Sequence, residues 1–135
     1  MTLYLKSLLV GGALVAFAAV INAQSSGITR TPITKADVSV AGREAVMTRV
    51  EIAPGGVAGW HTHPGDEITY VMEGEATLLI AGQPPRKVVG GEGFVIPAGI
   101  VHSAKNESAS VVKILGVFVV EKGQPLGTPA SAPAQ

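Results

Sequence analysis

Between residues 45 and 122 the chain breaks into short apolar or alternating stretches, each closed off by glycine, proline or asparagine. The stretch 45–52, "AVMTRVEI", alternates strictly. Val46, Thr48, Val50 and Ile52 fall on one face of a strand, while Met47, Arg49 and Glu51 fall on the other. "PGG" at 54–56 interrupts it. "EITYVMEG" and "EATLLIAG" follow and meet at Glu73-Gly74-Glu75, which reads as a hairpin turn. "RKVV", "GFVIP", "VHSAK" and "SVVKILGVFVV" come after, separated by turn residues. No stretch in this region carries a helical stripe. Short strands with turn signals roughly every 8–12 residues predict an all-β sandwich or barrel. The apolar run at 111–120 reads either as a strand buried on both faces or as an edge at a dimer interface.

The two ends of the chain differ from this middle. Residues 1–7 carry one charged side chain, Lys6, and 8–21 is an uncharged run rich in Leu, Val and Ala. "INA" precedes Gln24. This is the layout of a secretory signal peptide over 1–23, and its uncharged run of 14 residues is short for a bilayer span of about 20. Whether cleaved or retained as an anchor, it predicts export to the periplasm or the exterior. Residues 24–37 read as a polar N-terminal arm, with room for a short edge strand, and 38–122 as a single β-domain. The segment 123–135 is rich in Pro, Ala and Gly and reads as a disordered tail.

The chain has ten basic and ten acidic residues, so loss of Lys6 leaves the mature chain one unit negative. That balance lacks the basic footprint of a nucleic-acid binder, and no membrane contact is expected after signal cleavage. There is no cysteine, hence no disulfide frame and no thiolate ligand or nucleophile.

All three histidines lie in two short stretches. In "GWHTHPGDE", His61 and His63 are i and i+2, so a strand turns both to one face. Pro64-Gly65-Asp66 is turn chemistry that can bring Glu67 round to the same side. Two imidazoles and a carboxylate from one such segment suit a borderline divalent ion. His102 follows the loop Pro97-Ala98-Gly99, and in a barrel it can reach the same interior.

These residues carry a family resemblance. Gly55, His61, His63, Glu67 and Gly74 fit the interval pattern G-x5-H-x-H-x3,4-E-x6-G, and Gly91, Pro97, Gly99, His102 and Asn106 fit G-x5-P-x-G-x2-H-x3-N. Both are motifs of the cupin superfamily, and the chain resembles its small, single-domain, quercetinase-like (cupin type-2) members. The resemblance implies a jelly-roll β-barrel (a double-stranded β-helix). It also implies one divalent metal ion per chain, held by His61, His63, Glu67 and His102.

Three imidazoles and one carboxylate leave two positions on a six-coordinate ion. That suits Fe or Mn, with Ni, Cu and Zn as further options. The expected activity is metal-dependent chemistry on a small-molecule substrate, dioxygenase-like first and lyase or isomerase next. A non-catalytic exported module binding a metal or small ligand is the alternative. Glu67 is a candidate base, and Tyr70 a candidate hydrogen-bond donor that could equally be a packing aromatic. Trp60 should face away from the ion by strand parity, and Asn106 reads as a turn residue bonded to backbone. Phe94 and Ile96, or Ile114, Gly116 and Phe118, should line the cavity. A homodimer is expected.

Overall fold

The computed structural model describes residues 25–134. The expected signal peptide at 1–23 lies outside them. Among the described residues there are nine strands and no helix, hence none long and apolar enough to cross a membrane. The strands are β1 (Ser26–Asp37), β2 (Arg43–Thr62), β3 (Gly65–Glu73), β4 (Glu75–Ile80), β5 (Arg86–Val89), β6 (Gly93–Ile96), β7 (His102–Lys105), β8 (Val112–Glu121) and β9 (Thr128–Pro129).

All pairings are antiparallel, in the order β5-β4-β7-β2-β8-β3-β6, with β1 and β9 also on β2. The long strand β2 belongs to both walls of the curled sheet. Its first part, up to Ile52, lies between β1 and β8; from Val57 it pairs with β7 and then β9. "PGG" therefore turns a corner within one strand rather than ending it. Gly55, at φ 75°, donates its N–H to the Asn106 carbonyl at 2.9 Å, and the Asn106 N–H returns a bond to the Gly56 carbonyl.

The turn at Glu73-Gly74-Glu75 is not a hairpin. β3 pairs with β6 and β8, whereas β4 pairs with β5 and β7. The chain crosses here from one wall to the other, and Gly74 fits because a side chain would meet the Val111 carbonyl.

Alternation places the core as the pleat requires. Thr48 and Ile52 are buried on β2, and Val112, Ile114, Gly116, Phe118 and Val120 on β8. Ile52, Val71, Ala76, Leu78, Val88, Ile96, Val112 and Ile114 close the interior between the walls. Each buried Val, Leu or Ile of this set contributes about 1.5–3 kcal/mol by leaving water. β8 lies between β2 and β3, so 111–120 is a central strand and not an edge.

Both expected chain ends are more ordered than their composition suggests. The arm is the twelve-residue strand β1, paired with β2 from Ile28↔Ile52 to Pro32↔Thr48 and, after a one-residue shift, from Thr34↔Met47 to Asp37↔Glu44. The tail is not disordered as expected: Thr128 and Pro129 pair with Thr62 and His61, and Ala130 donates to the Trp60 carbonyl at 2.9 Å. Its few apolar groups are held by backbone bonds to β2, which composition does not reveal.

Candidate metal centre

β2 delivers His61, and His63 follows directly after its end. The chain then turns through Pro64 into β3, where Gly65 allows close approach: a side chain there would fall on the backbone of Val119 and Val120. Glu67, Thr69 and Val71 point inward from β3, while Asp66, Ile68, Tyr70 and Met72 point out. His102 opens β7 directly opposite His61. Thus two neighbouring strands and one crossing strand bring together all four residues expected as ligands.

One donor atom from each of His61, His63, Glu67 and His102 lies within 4.8 Å of the other three. Glu67 Oε2 is 3.1 Å from His63 Nε2 and 3.0 Å from His102 Nε2. Adjacent donors about 2.1 Å from a shared cation stand about 3 Å apart, which is the separation of Glu67 Oε2 from His63 and His102. The side chains of His63, Glu67 and His102 are 9%, 14% and 4% exposed.

Each imidazole is aimed from behind. His61 Nδ1 lies 2.6 Å from the Gly59 carbonyl, His63 Nδ1 2.6 Å from the Leu126 carbonyl, and His102 Nδ1 2.9 Å from the Ile100 carbonyl. A carbonyl only accepts, so each Nδ1 carries the hydrogen and each Nε2 presents a lone pair inward. Three lone pairs and a carboxylate converging without protons between them repel one another, and a cation relieves that repulsion. The donor set therefore fits a borderline divalent ion.

Electrostatics agree. Burial holds the His61 pKa down at about 4; the Gly59 carbonyl and Glu67 oppose this, while His102 and His63 add to it. His61 is thus neutral and ready to ligate at neutral pH. Burial pushes Glu67 up, but His102 and His63, which donate through Nε2 whenever their rings are cationic, together with the Thr69 hydroxyl, outweigh it and keep the carboxyl below the usual carboxylate range. Thr69 Oγ1 donates to Glu67 Oε1 at 2.6 Å, leaving Oε2 for the cluster.

The cluster lies on a cavity of about 670 Å³, whose wall includes Val50, Ile52, Leu78, Phe94, Ile114 and Phe118. Phe118 stacks at a tilt on His63, ring centroids 4.7 Å apart. Of the expected lining, Phe94, Ile114, Gly116 and Phe118 take part, whereas Ile96 is packed in the core.

Two placements need correction. Tyr70 is 48% exposed on the outer face, opposite in parity to Glu67 and Thr69, and does not enter the cavity. Trp60 does line the cavity. Between the pairs Ala58↔Ala104 and His61↔His102, β2 holds one residue more than β7, and this bulge breaks the simple alternation. Asn106 is a backbone-binding residue, as its motif position suggests. Its Nδ2 donates to the Ile52 and Ser110 carbonyls at 2.9 and 2.7 Å.

Three participants escaped the sequence reading. Thr69 had a signal, since the alternation that turns Glu67 inward turns Thr69 inward too. The Leu126 carbonyl had none, being backbone from a segment of unremarkable composition. Arg30 of β1 also lines the cavity, and no local pattern marks it.

The comparisons with known proteins fit this geometry. A germin-like protein, subfamily 2 member 2, from Arabidopsis thaliana is 39% identical over 77 residues, covering 53% of this chain and 35% of that protein. The chain spans about a third of the length of the curated relatives it matches. Among solved structures, an oxalate oxidase in complex with the substrate analogue glycolate superimposes with a TM-score of 0.57 at 33% identity, covering 68% of this chain and 50% of that one. The polyketide cyclase RemF from Streptomyces resistomycificus gives a TM-score of 0.64 at 25% identity, covering 80% and 75%. The family model described as "Cupin domain" matches residues 48–130. With its motifs on the converging strands of one curled sheet, and that match over more than half its length, the chain belongs to the cupin domain family.

Proposed function

We propose that this protein is a divalent-metal-dependent cupin enzyme acting on a small organic substrate, with dioxygenase-type chemistry favoured over lyase or isomerase chemistry. The observation that carries the reading is the convergence of three Nε2 atoms, each fixed by a carbonyl behind it, on Glu67 Oε2. His61, His63, Glu67 and His102 would hold one ion, with Fe or Mn favoured and Ni, Cu or Zn also suited to the donors. When bound, the ion supplies Lewis acidity or activates oxygen. The chain itself supplies a largely apolar pocket and one carboxylate. Thr69 keeps Glu67 Oε1 engaged, so a proton taken up by Glu67 goes to Oε2, facing the cluster. The likeness to a polyketide cyclase and an oxalate oxidase supports catalysis on small molecules.

The test is elemental analysis of the purified protein, followed by O₂ consumption by the Fe(II)-, Mn(II)- and Cu(II)-loaded forms. Substrates are catechols, flavonols, diketones and oxalate. Turnover with one ion supports the proposal. Tight metal binding with no O₂ uptake and no product across the panel favours the second reading, a non-catalytic binding module. That reading has one observation behind it: beyond the four ligands, Arg30 is the one ionisable residue on the cavity wall among the described residues.

The leader-like segment 1–23 supports export to the periplasm or exterior. A homodimer is supported by the outer face of β3 and β6, where Ile68, Tyr70, Met72 and Val95 are exposed side by side. A monomer mass by light scattering refutes it.

A further inference from the structure

We propose that the cavity takes a small organic carboxylate, its anionic end paired with Arg30 and its apolar body lying against Val50, Ile52, Leu78, Phe94 and Ile114. This rests on the reading of the cavity as a metal-dependent small-molecule site and names the substrate class for it.

Register puts Arg30 there. Arg30 stands directly opposite Val50 in the β1–β2 ladder, two residues from the Ile28↔Ile52 pair. Directly opposed residues share a sheet face, so Arg30 projects from the same face as Val50 and Ile52, both of which line the cavity with it. Arg30 is exposed as a residue while it lines the cavity. Its guanidinium is partly withdrawn from water: burial lowers its pKa, with the Glu67 carboxylate pulling the other way.

Among the described residues, no ion pair includes Arg30. Arg30 thus lines the cavity with no ion-pair partner among the described residues.

Charge balance points to an anion. With neutral imidazoles, the cavity wall carries one positive charge, Arg30, and one negative, Glu67. A divalent ion on the four ligands leaves the site two units positive in an apolar enclosure, where charges are weakly screened. A bound anion offsets part of that excess. A carboxylate suits it better than a phosphate. The planar guanidinium fork matches a planar carboxylate, whereas a phosphate calls for several donors, and apart from Arg30 the wall offers few. The rest of the wall is aliphatic and aromatic, which fits an apolar body on the acid.

Trp60, the sole tryptophan of the chain, lines the same cavity and reports occupancy by its fluorescence. The experiment titrates octanoate, octan-1-ol and octyl phosphate into the Zn(II)-loaded and metal-free protein; Zn(II) is redox-silent and does not quench paramagnetically. The titrations are repeated for Arg30→Gln and Arg30→Lys, with zinc content and circular dichroism recorded for each. Octanoate should bind the zinc-loaded wild type at least about tenfold more tightly than octan-1-ol. Arg30→Gln should lose about tenfold or more in octanoate affinity, with octan-1-ol unchanged and zinc retained, and Arg30→Lys should lose less. Equal octanoate affinity in wild type and Arg30→Gln, or no preference for octanoate over the alcohol, overturns the proposal. Tighter binding of octyl phosphate than of octanoate overturns the carboxylate assignment. If no protein holds zinc, the metal reading fails separately. The octanoate-to-octanol ratio of the metal-free wild type and Arg30→Gln then still decides the role of Arg30.

Discussion

His61 and His102 are cross-strand partners, directly opposed in the β2–β7 ladder with ring centroids 4.3 Å apart. Residues 41 positions apart in the chain are thereby fixed side by side by backbone pairing, with their side chains on one face. The ladder, rather than either motif, sets the spacing of the two imidazoles.

Removal of either imidazole should therefore empty the site. His61→Ala and His102→Ala are each expected to abolish stoichiometric metal, measured by elemental analysis after dialysis, while the β-sheet dichroism persists. Full metal retention in either variant takes that residue out of the coordination sphere.

The C-terminal segment should matter to the metal more than to the fold. The Leu126 carbonyl accepts from His63 Nδ1, and Pro129 and Thr128 pair with His61 and Thr62. Truncation after Lys122 removes these supports and little of the core. We expect roughly 10- to 100-fold weaker metal binding, as for other losses of partners behind a ligand, by competition with a chelating dye. The metal-free melting temperature should change by only a few degrees. Unchanged metal affinity would show that His63 is oriented without the tail.

Asn106 should be a stability residue. It is 1% exposed and bonds the Ile52 and Ser110 carbonyls through Nδ2, while Oδ1 accepts from the Ser108 N–H and hydroxyl. Asn106→Ala leaves the buried Ile52 carbonyl without this donor and removes the bonds to Ser108 and Ser110, at a cost of about 1–3 kcal/mol. Urea denaturation of the metal-free protein measures it; a loss below about 1 kcal/mol contradicts the role.

Acid should weaken the metal-free protein in a defined window. His61 is held neutral to about pH 4 in the folded state, against about 6.5 when unfolded. The unfolded chain therefore binds more protons in between. The corresponding stability is full above about pH 6.5 and is lost as pH falls toward 4, on the order of 2–3 kcal/mol. Glu67, held below its ordinary range, adds a further loss in the same direction below about pH 4.5. Melting temperatures from pH 8 to 4 read the profile, and a flat line between pH 7 and 4.5 shows that His61 is not buried neutral.

The candidate ligand cluster and the β architecture were legible in the linear chain because they rest on local rules. Alternation puts His61 and His63 on one face, Pro64-Gly65 supplies the turn to Glu67, and glycine and proline mark the strand ends. What only the tertiary structure decided depends on which distant backbones pair and in what register. The β1–β2 register brings Arg30 into the cavity. One extra residue in β2 turns Trp60 toward it. The partition of β3 and β4 between walls makes Gly74 a crossing rather than a hairpin. A backbone carbonyl at Leu126 fixes the tautomer of His63. Pairing energy is spread over many non-local hydrogen bonds and side-chain contacts, so it leaves no short signature at the residues it positions.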